Sequence, residues 1–216
     1  MPRAQPSSDE GGRPANLGRR YPQGRCTLVA VLVAILTAGC SRAPTVPACT
    51  PSPVVVPTVS SLVLGENDLD PETNLHYTGQ AQEIDLTEYR LEVIGLVDRP
   101  LVLTYDDLRC LPRLEVACVL VCPGFFEDEA RWAGARLRDV LDLAGVQDSA
   151  SELRLFSQDR YSATVPLVAG WQEDSLLAYE WEGEPLPILH GFPVRAVFPD
   201  LAGNAWVKWL IKIQVR

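Results

Sequence analysis

The chain has 216 residues, 47% apolar and 22% charged, enough hydrophobic material for one globular domain with appendages. Its net charge is −9, and because the first forty residues carry five arginines against one Asp and one Glu, the remainder holds 14 basic and 26 acidic residues. A field of that sign repels phosphate, which argues against nucleic acid or an anionic lipid surface as partner, so an anionic ligand would need a local basic pocket.

Residues 1–25 are polar, rich in Pro, Gly and Arg, and lack periodicity. Residues 26–38 are almost wholly apolar, too few to span a ~30 Å hydrocarbon core as a helix but the right length for a signal-peptide core. The ending Leu36-Thr37-Ala38-Gly39-Cys40 resembles the lipobox of bacterial lipoproteins. That resemblance implies a signal peptide over 1–39, cleavage before Cys40, acylation of its thiol and anchoring to a membrane outside the cytoplasm. An uncleaved anchor or a short buried helix are the other readings of the run. Arg19-Arg20 matches a twin-arginine signal only in part, since Tyr21-Pro22-Gln23 follows the pair.

Residues 40–82 are rich in Pro, Ser and Thr and are expected to form a spacer between the lipidated cysteine and a domain over 83–216. Cys49 lies in that spacer and is open to two readings, a free thiol or a bond to another chain. The six cysteines stand at 26, 40, 49, 110, 118 and 122 with no C-x-x-C pair, and only two histidines accompany them, so a structural zinc site has little support.

The alternation at 89–95 predicts a strand, and 101–104 a second. Thr104 with Asp107 resembles a capping box opening a brief helix that ends at Cys110, a residue expected to serve packing. The stretch V-A-C-V-L-V-C-P-G-F-F (116–126) reads as the end of a central strand, 114–122, buried on both faces and stopped by Pro123-Gly124. Cys122 is its last residue, placed to offer a soft donor at the mouth of a rigid sheet; alone, Cys118 and Cys122 read more simply as small core hydrophobes. On a strand they stand about 13 Å apart, beyond disulfide reach.

Residues 125–130, with Glu127, Asp128 and Glu129, are expected to form an acidic loop. Leu137, Val140, Leu141 and Ala144 fall on one face of a helix over 137–144, with Gly145 to end it. Strands are predicted at 153–156, 161–165, 176–181 and 211–215, and a further strand after the loop opened by Pro187. Many short strands and few helices, without regular alternation, indicate an α+β fold dominated by sheet.

In order, the strand-end cysteine, H-G-x-P-x-R at 190–195 and V-K-W-L at 207–210 resemble the molybdopterin-binding domain of the sulfite oxidase family. Further matches are Y-R-L-E-V-I-G-L-V-D-R-P-L, W-x-G-x-x-L-x-x-V-L and L-A-Y-E-x-x-G-E-P-L-P, so the resemblance runs from about residue 84 to 216. It implies that the Cys122 thiolate binds molybdenum beside the dithiolene sulfurs of a pyranopterin. It further implies that His190 and Arg195 hold the pterin and its phosphate, and that Lys208 lies in the segment closing over them. A soft metal suits sulfur donors, and a buried phosphate suits the planar fork of an arginine. Tyr161, in the D-R-Y-S turn, is a candidate for the rim of the site.

The resemblance also shows departures. Pro123-Gly124-Phe125-Phe126 and three acids stand where sulfite oxidases usually carry a small residue, Gly, Asn and arginines, and such acids disfavour a small dianion. Haem-binding and C-terminal dimerisation domains are not recognised, so electron exchange is expected to use a separate partner. The expectation is therefore a lipid-anchored, extracytoplasmic oxidoreductase with a molybdenum-molybdopterin cofactor, transferring an oxygen atom and two electrons to or from a small molecule. The alternative is a cofactor-free surface lipoprotein that keeps the fold to bind a partner.

Overall fold

A computed structural model describes residues 45–58 and 69–216. The expected signal peptide and Cys40 lie outside the described residues. Among the described residues no helix is long and apolar enough to cross a membrane.

Two five-stranded sheets form the domain. The first has the order β2-β1-β10-β5-β6, with β1 Leu91–Gly95, β2 Leu101–Leu103, β5 Glu152–Ser157, β6 Ser162–Pro166 and β10 Leu210–Val215. Among the described residues only β1 and β10 run parallel, and β10 lies at the centre of the sheet, joining the β2-β1 pair to the β5-β6 hairpin. The second sheet runs β3-β4-β7-β8, with β3 Arg113–Cys122, β4 Phe126–Arg136, β7 Leu176–Trp181 and β8 Glu184–Pro185. The strand β9 Arg195–Val197 pairs with the other part of β7. The sheet-dominated α+β class expected from the sequence is the class observed.

The short helices form where the local chemistry directs. In α1, Tyr105–Arg109, the Asp107 amide donates to Thr104 Oγ1 at 3.0 Å and the Thr104 amide donates to Asp107 Oδ2 at 2.8 Å, a reciprocal cap worth about 1 kcal/mol. In α2, Leu137–Ala144, the predicted apolar face of Leu137, Val140, Leu141 and Ala144 is fully buried. A further single turn, α3 Leu167–Gly170, follows β6.

Four expectations are corrected. The strand ending at Cys122 is not central: β3 pairs only with β4 and its exposure alternates, with Arg113, Glu115, Ala117 and Val119 outward. Its valine run therefore reflects an edge strand with one wet face. Residues 126–130 are not a loop but the start of β4, in register with β3 through Cys122↔Phe126 and Val119↔Glu129. Strand alternation explains the three acids, since Glu127 and Glu129 are exposed while Asp128 between them is buried.

The expected spacer does not continue to residue 82. Asp70, Thr73, Leu75 and Tyr77 are buried, and Leu69 bridges to His76 in a tight reversal that packs on the domain. Cys110, expected to be mere packing, and Cys49, read as a free thiol or a bond to another chain, are disulfide-bonded to each other, which ties residues 45–58 to the end of α1. The Arg109 guanidinium reinforces that tie by donating to the Ser52 carbonyl at 2.8 Å.

Candidate cofactor site

Cys122 is the final residue of β3, where the 122–125 turn closes through the Phe125 amide donating to the Cys122 carbonyl at 3.0 Å. Its thiol reaches a cavity of about 350 Å³ whose wall also includes Tyr161, Asp159, Gly79, Lys208 and Trp209. The chain opposite, 203–205, approaches closely because residue 203 is glycine. A β-carbon there would lie 2.9 Å from Cys122 Sγ. The Tyr161 hydroxyl donates to the Asn204 carbonyl at 2.7 Å, placing that ring on the same wall as the thiol. Depressions of about 390 and 560 Å³ around Glu83, Ile84 and Asp85 contain none of the predicted residues.

The two free thiols differ. Burial pushes the Cys118 thiol up to about 11, with Asp174 adding to the rise and Arg195 opposing it. Cys122 is also raised by burial and by Asp128, again opposed by Arg195, but it is the one on the cavity wall. Among the described residues no group of three or more His, Cys, Asp or Glu side chains converges on a metal position.

Two cations belong to this region, Lys208 in the wall itself and Arg195 behind it. Arg195, at the start of β9, is 3% exposed and its guanidinium carbon stacks 4.5 Å from the Trp132 ring and 5.7 Å from the Trp206 ring. It donates to the carbonyls of His190 at 3.2 Å and Trp206 at 3.4 Å, yet its Nε has no partner. Desolvation lowers even this group, to about 10. Lys208 lies over the Trp209 ring at 4.4 Å and donates to the carbonyls of Leu189, at 2.9 Å, and Thr78. Desolvation, with Arg195 adding repulsion, pushes its ammonium down to about 7. Neither cation has a carboxylate within ion-pair distance among the described residues.

His190 ends a single 3-10 turn, Ile188–His190, and is 2% exposed. Gly191 follows at φ 112, a conformation open to glycine, and a β-carbon there would crowd Arg195 Cβ and Lys208 Cβ at 3.1 Å each. That one glycine lets His190, Arg195 and Lys208 meet. Desolvation first, then Arg195 and Lys208, lower the His190 imidazole to about 4, so it is neutral near pH 7.

The predicted residues therefore come together in two layers. Cys122 and Lys208 line the cavity with Tyr161; Arg195 sits behind, close enough to feel both thiols, and His190 packs next to Lys208 without lining the cavity. Sequence reasoning missed Asp70, Thr73, His76 and Thr78, all in the stretch read as spacer. His76 binds Asp128 through its backbone amide, 2.7 Å, and Nδ1, 2.8 Å, while stacking on Phe126. The alternating Leu75 and Tyr77 were the local signal that this stretch is half-buried.

A buried guanidinium with an unpartnered nitrogen and a half-buried ammonium, neither with a carboxylate partner among the described residues, lie at or behind the cavity that Cys122 lines and suit an anionic group. The chain belongs to the oxidoreductase molybdopterin binding domain family, whose model matches residues 78–216. The cofactor of that family is molybdenum held by molybdopterin, and the donors and cations found here fit it. Similar proteins include an uncharacterized oxidoreductase, YuiH, of Bacillus subtilis, 39% identical over 131 residues, covering 60% of this chain and 66% of that one. Human mitochondrial sulfite oxidase is 37% identical over 163 residues, covering 62% of this chain and 30% of that enzyme. Among solved structures, the sulfane dehydrogenase SoxCD of Paracoccus pantotrophus matches with a TM-score of 0.59 and 28% identity, over 66% of this chain and 41% of that one. The chain thus spans about two thirds of YuiH and under one third of sulfite oxidase.

Proposed function

We propose that this protein is an extracytoplasmic, membrane-anchored molybdenum oxidoreductase in which Cys122 ligates the metal. His190, Arg195 and Lys208 would hold the pterin and its phosphate. The bound cofactor supplies two-electron oxygen-atom transfer; the chain's residues bind it, orient it and limit water around it. The observation that carries the reading is the pair of desolvated cations without a carboxylate partner among the described residues, Lys208 in the wall of the Cys122 cavity and Arg195 behind it. Holding them there costs stability unless an anion completes the site.

Each residue has a definable task. The Arg195 fork lies over the Trp132 ring, with the Trp206 ring set edge-on beside it, and its Nε has no partner and is available to donate. Desolvation first and Arg195 second lower the Lys208 ammonium, so a bound anion beside it would favour its charged form directly and by offsetting the Arg195 repulsion. The Cys122 proton leaves on metal binding, as it does for any thiol ligand. Tyr161 offers a hydroxyl at the rim. Glu127 and Glu129, exposed on the strand that begins beside the site, disfavour a small dianion as substrate and favour a neutral or cationic one.

The Cys49–Cys110 disulfide supports an oxidising compartment, in keeping with the lipobox-like sequence at Cys40. The redox partner would be a separate electron carrier. The test is elemental analysis of protein matured in molybdenum-replete cells, with Cys122→Ser as control. Near-stoichiometric molybdenum that Cys122→Ser fails to retain supports the reading. Absence of molybdenum from the wild-type protein would leave a cofactor-free binding module.

A further inference from the structure

We propose that Asp70, aided by Thr73, is a positioning residue of the cofactor site: its carboxylate accepts the Nε2 proton of His190 and so leaves Nδ1 as the ring's acceptor. What the ring is presented to rests on the cofactor reading above; the proton's position does not.

The hydrogen-bond geometry assigns that proton. Asp70 Oδ2 lies 3.0 Å from His190 Nε2, and Thr73 Oγ1 lies 2.9 Å from the same nitrogen. The Thr73 hydroxyl donates to Asp70 Oδ2 at 3.0 Å, so its own proton is committed and its oxygen faces the ring as an acceptor. Two acceptors around one ring nitrogen require that nitrogen to carry hydrogen. A neutral imidazole has a single N–H, so Nδ1 is then bare.

The carboxylate is built into place. Asp70 is 1% exposed, its Oδ1 accepts the Glu72 amide at 3.1 Å, and its carbonyl accepts the Asn74 amide at 2.7 Å. The turn it organises delivers two further ties to the site. The Thr78 carbonyl accepts from the Lys208 ammonium, and His76 grips Asp128, the carboxylate that acts on Cys122. Residues 70–77 precede the stretch that the family model matches, yet they touch His190 directly and Cys122 through Asp128. A histidine with a free tautomer would offer the pterin a donor or an acceptor indifferently; Asp70 removes that choice.

The test uses cofactor-free protein with 15N-labelled histidine and long-range 1H–15N correlation spectra. The chain has two histidines, and His76→Gln assigns them. Wild type and Asp70→Asn are expected to show His190 protonated at Nε2, because the Asn oxygen still accepts; Asp70→Ala is expected to show mixed tautomers. In molybdenum-replete cells Asp70→Ala should retain about tenfold less molybdenum per chain, the scale of lost outer-shell partners of metal sites, and Asp70→Asn should recover most of it. Melting temperatures of folded variants separate this from general destabilisation. An Nδ1–H tautomer in the wild type overturns the proposal, even where Asp70→Ala fails to fold. So does an Asp70→Ala protein with the wild-type tautomer and full molybdenum. A wild type protonated at Nε2 but devoid of molybdenum would sink the cofactor reading and leave the Asp70 assignment standing.

Discussion

Gly203 and Cys122 approach across the cavity so closely that a β-carbon on the glycine would stand 2.9 Å from Sγ and 2.9 Å from Leu120 Cδ1. Those two neighbours are side-chain atoms that can shift, while the Val121 carbonyl oxygen at 3.3 Å is backbone and limits how far the glycine side can yield. Gly203→Ala should cost about 1 kcal/mol of stability, the low end of overpacking, while turning the thiol away from its position. The expected result is a folded protein with severalfold less molybdenum. In a Cys118→Ser background without cofactor, the alkylation rate of Cys122 should also change. Unaltered metal content and alkylation would show that the close approach has no bearing on the thiol.

Arg195 sets function against stability. Its burial costs several kcal/mol in desolvation, offset by two long hydrogen bonds worth about 1 kcal/mol each and stacking worth about 2 kcal/mol. These nearly cancel, so Arg195→Met should alter the stability of the cofactor-free protein by less than about 2 kcal/mol. Molybdenum retention should nevertheless collapse, because the phosphate loses its forked donor. Denaturant titration beside elemental analysis checks both halves, and a loss of 3–5 kcal/mol, typical of breaking a buried ion pair, would mean that a counter-ion is already present.

The parts of this molecule written in short-range pattern were legible in its sequence. The face Leu137, Val140, Leu141 and Ala144 repeats at helical spacing, and the Thr104–Asp107 cap joins residues only three apart. Cys122, His190, Arg195 and Lys208 stood in ordered motifs, and the fold brings them into one region of the domain. Asp70 was not, because its meaning lies in a contact 120 residues away and its own neighbourhood looks like a polar spacer. Asp128 misled as one of three acids until strand alternation separated it from Glu127 and Glu129. Cysteine connectivity is set by the fold rather than by spacing, so Cys49 and Cys110 gave no sign of each other.

The lowered bases predict an unusual pH profile. His190 falls from 6.5 to about 4 and Lys208 from 10.5 to about 7, so in both intervals the unfolded chain binds more protons than the folded one. Stability of the cofactor-free protein should therefore rise with pH from about 4 to 6.5, and again from about 7 until, above 9.0, the Cys118 thiol, raised to about 11, opposes Lys208. The His190 contribution is complete above 6.5 and is lost as pH falls toward 4. Thermal melts across pH should show His190→Gln flattening the acid limb and Lys208→Met the alkaline one. An optimum near pH 6 with decline above it would contradict this assignment.

The Cys49–Cys110 bond closes a loop with a sequence separation of 61, and the chain-entropy relation gives about 4 kcal/mol for a loop of that size. That figure assumes that residues 45–58 remain docked, as the Arg109–Ser52 hydrogen bond indicates. Cys110→Ser should then lower the urea midpoint by about 2 M at a slope of about 2 kcal/mol/M, with no change in slope if the denatured state is otherwise alike. Reductant added to the wild type should reproduce the shift, and exported protein should show the oxidised midpoint while protein retained in a reducing cytoplasm shows the lower one. Equal midpoints in both compartments, with free thiols at 49 and 110 in exported protein, would remove the disulfide from the account of both stability and location.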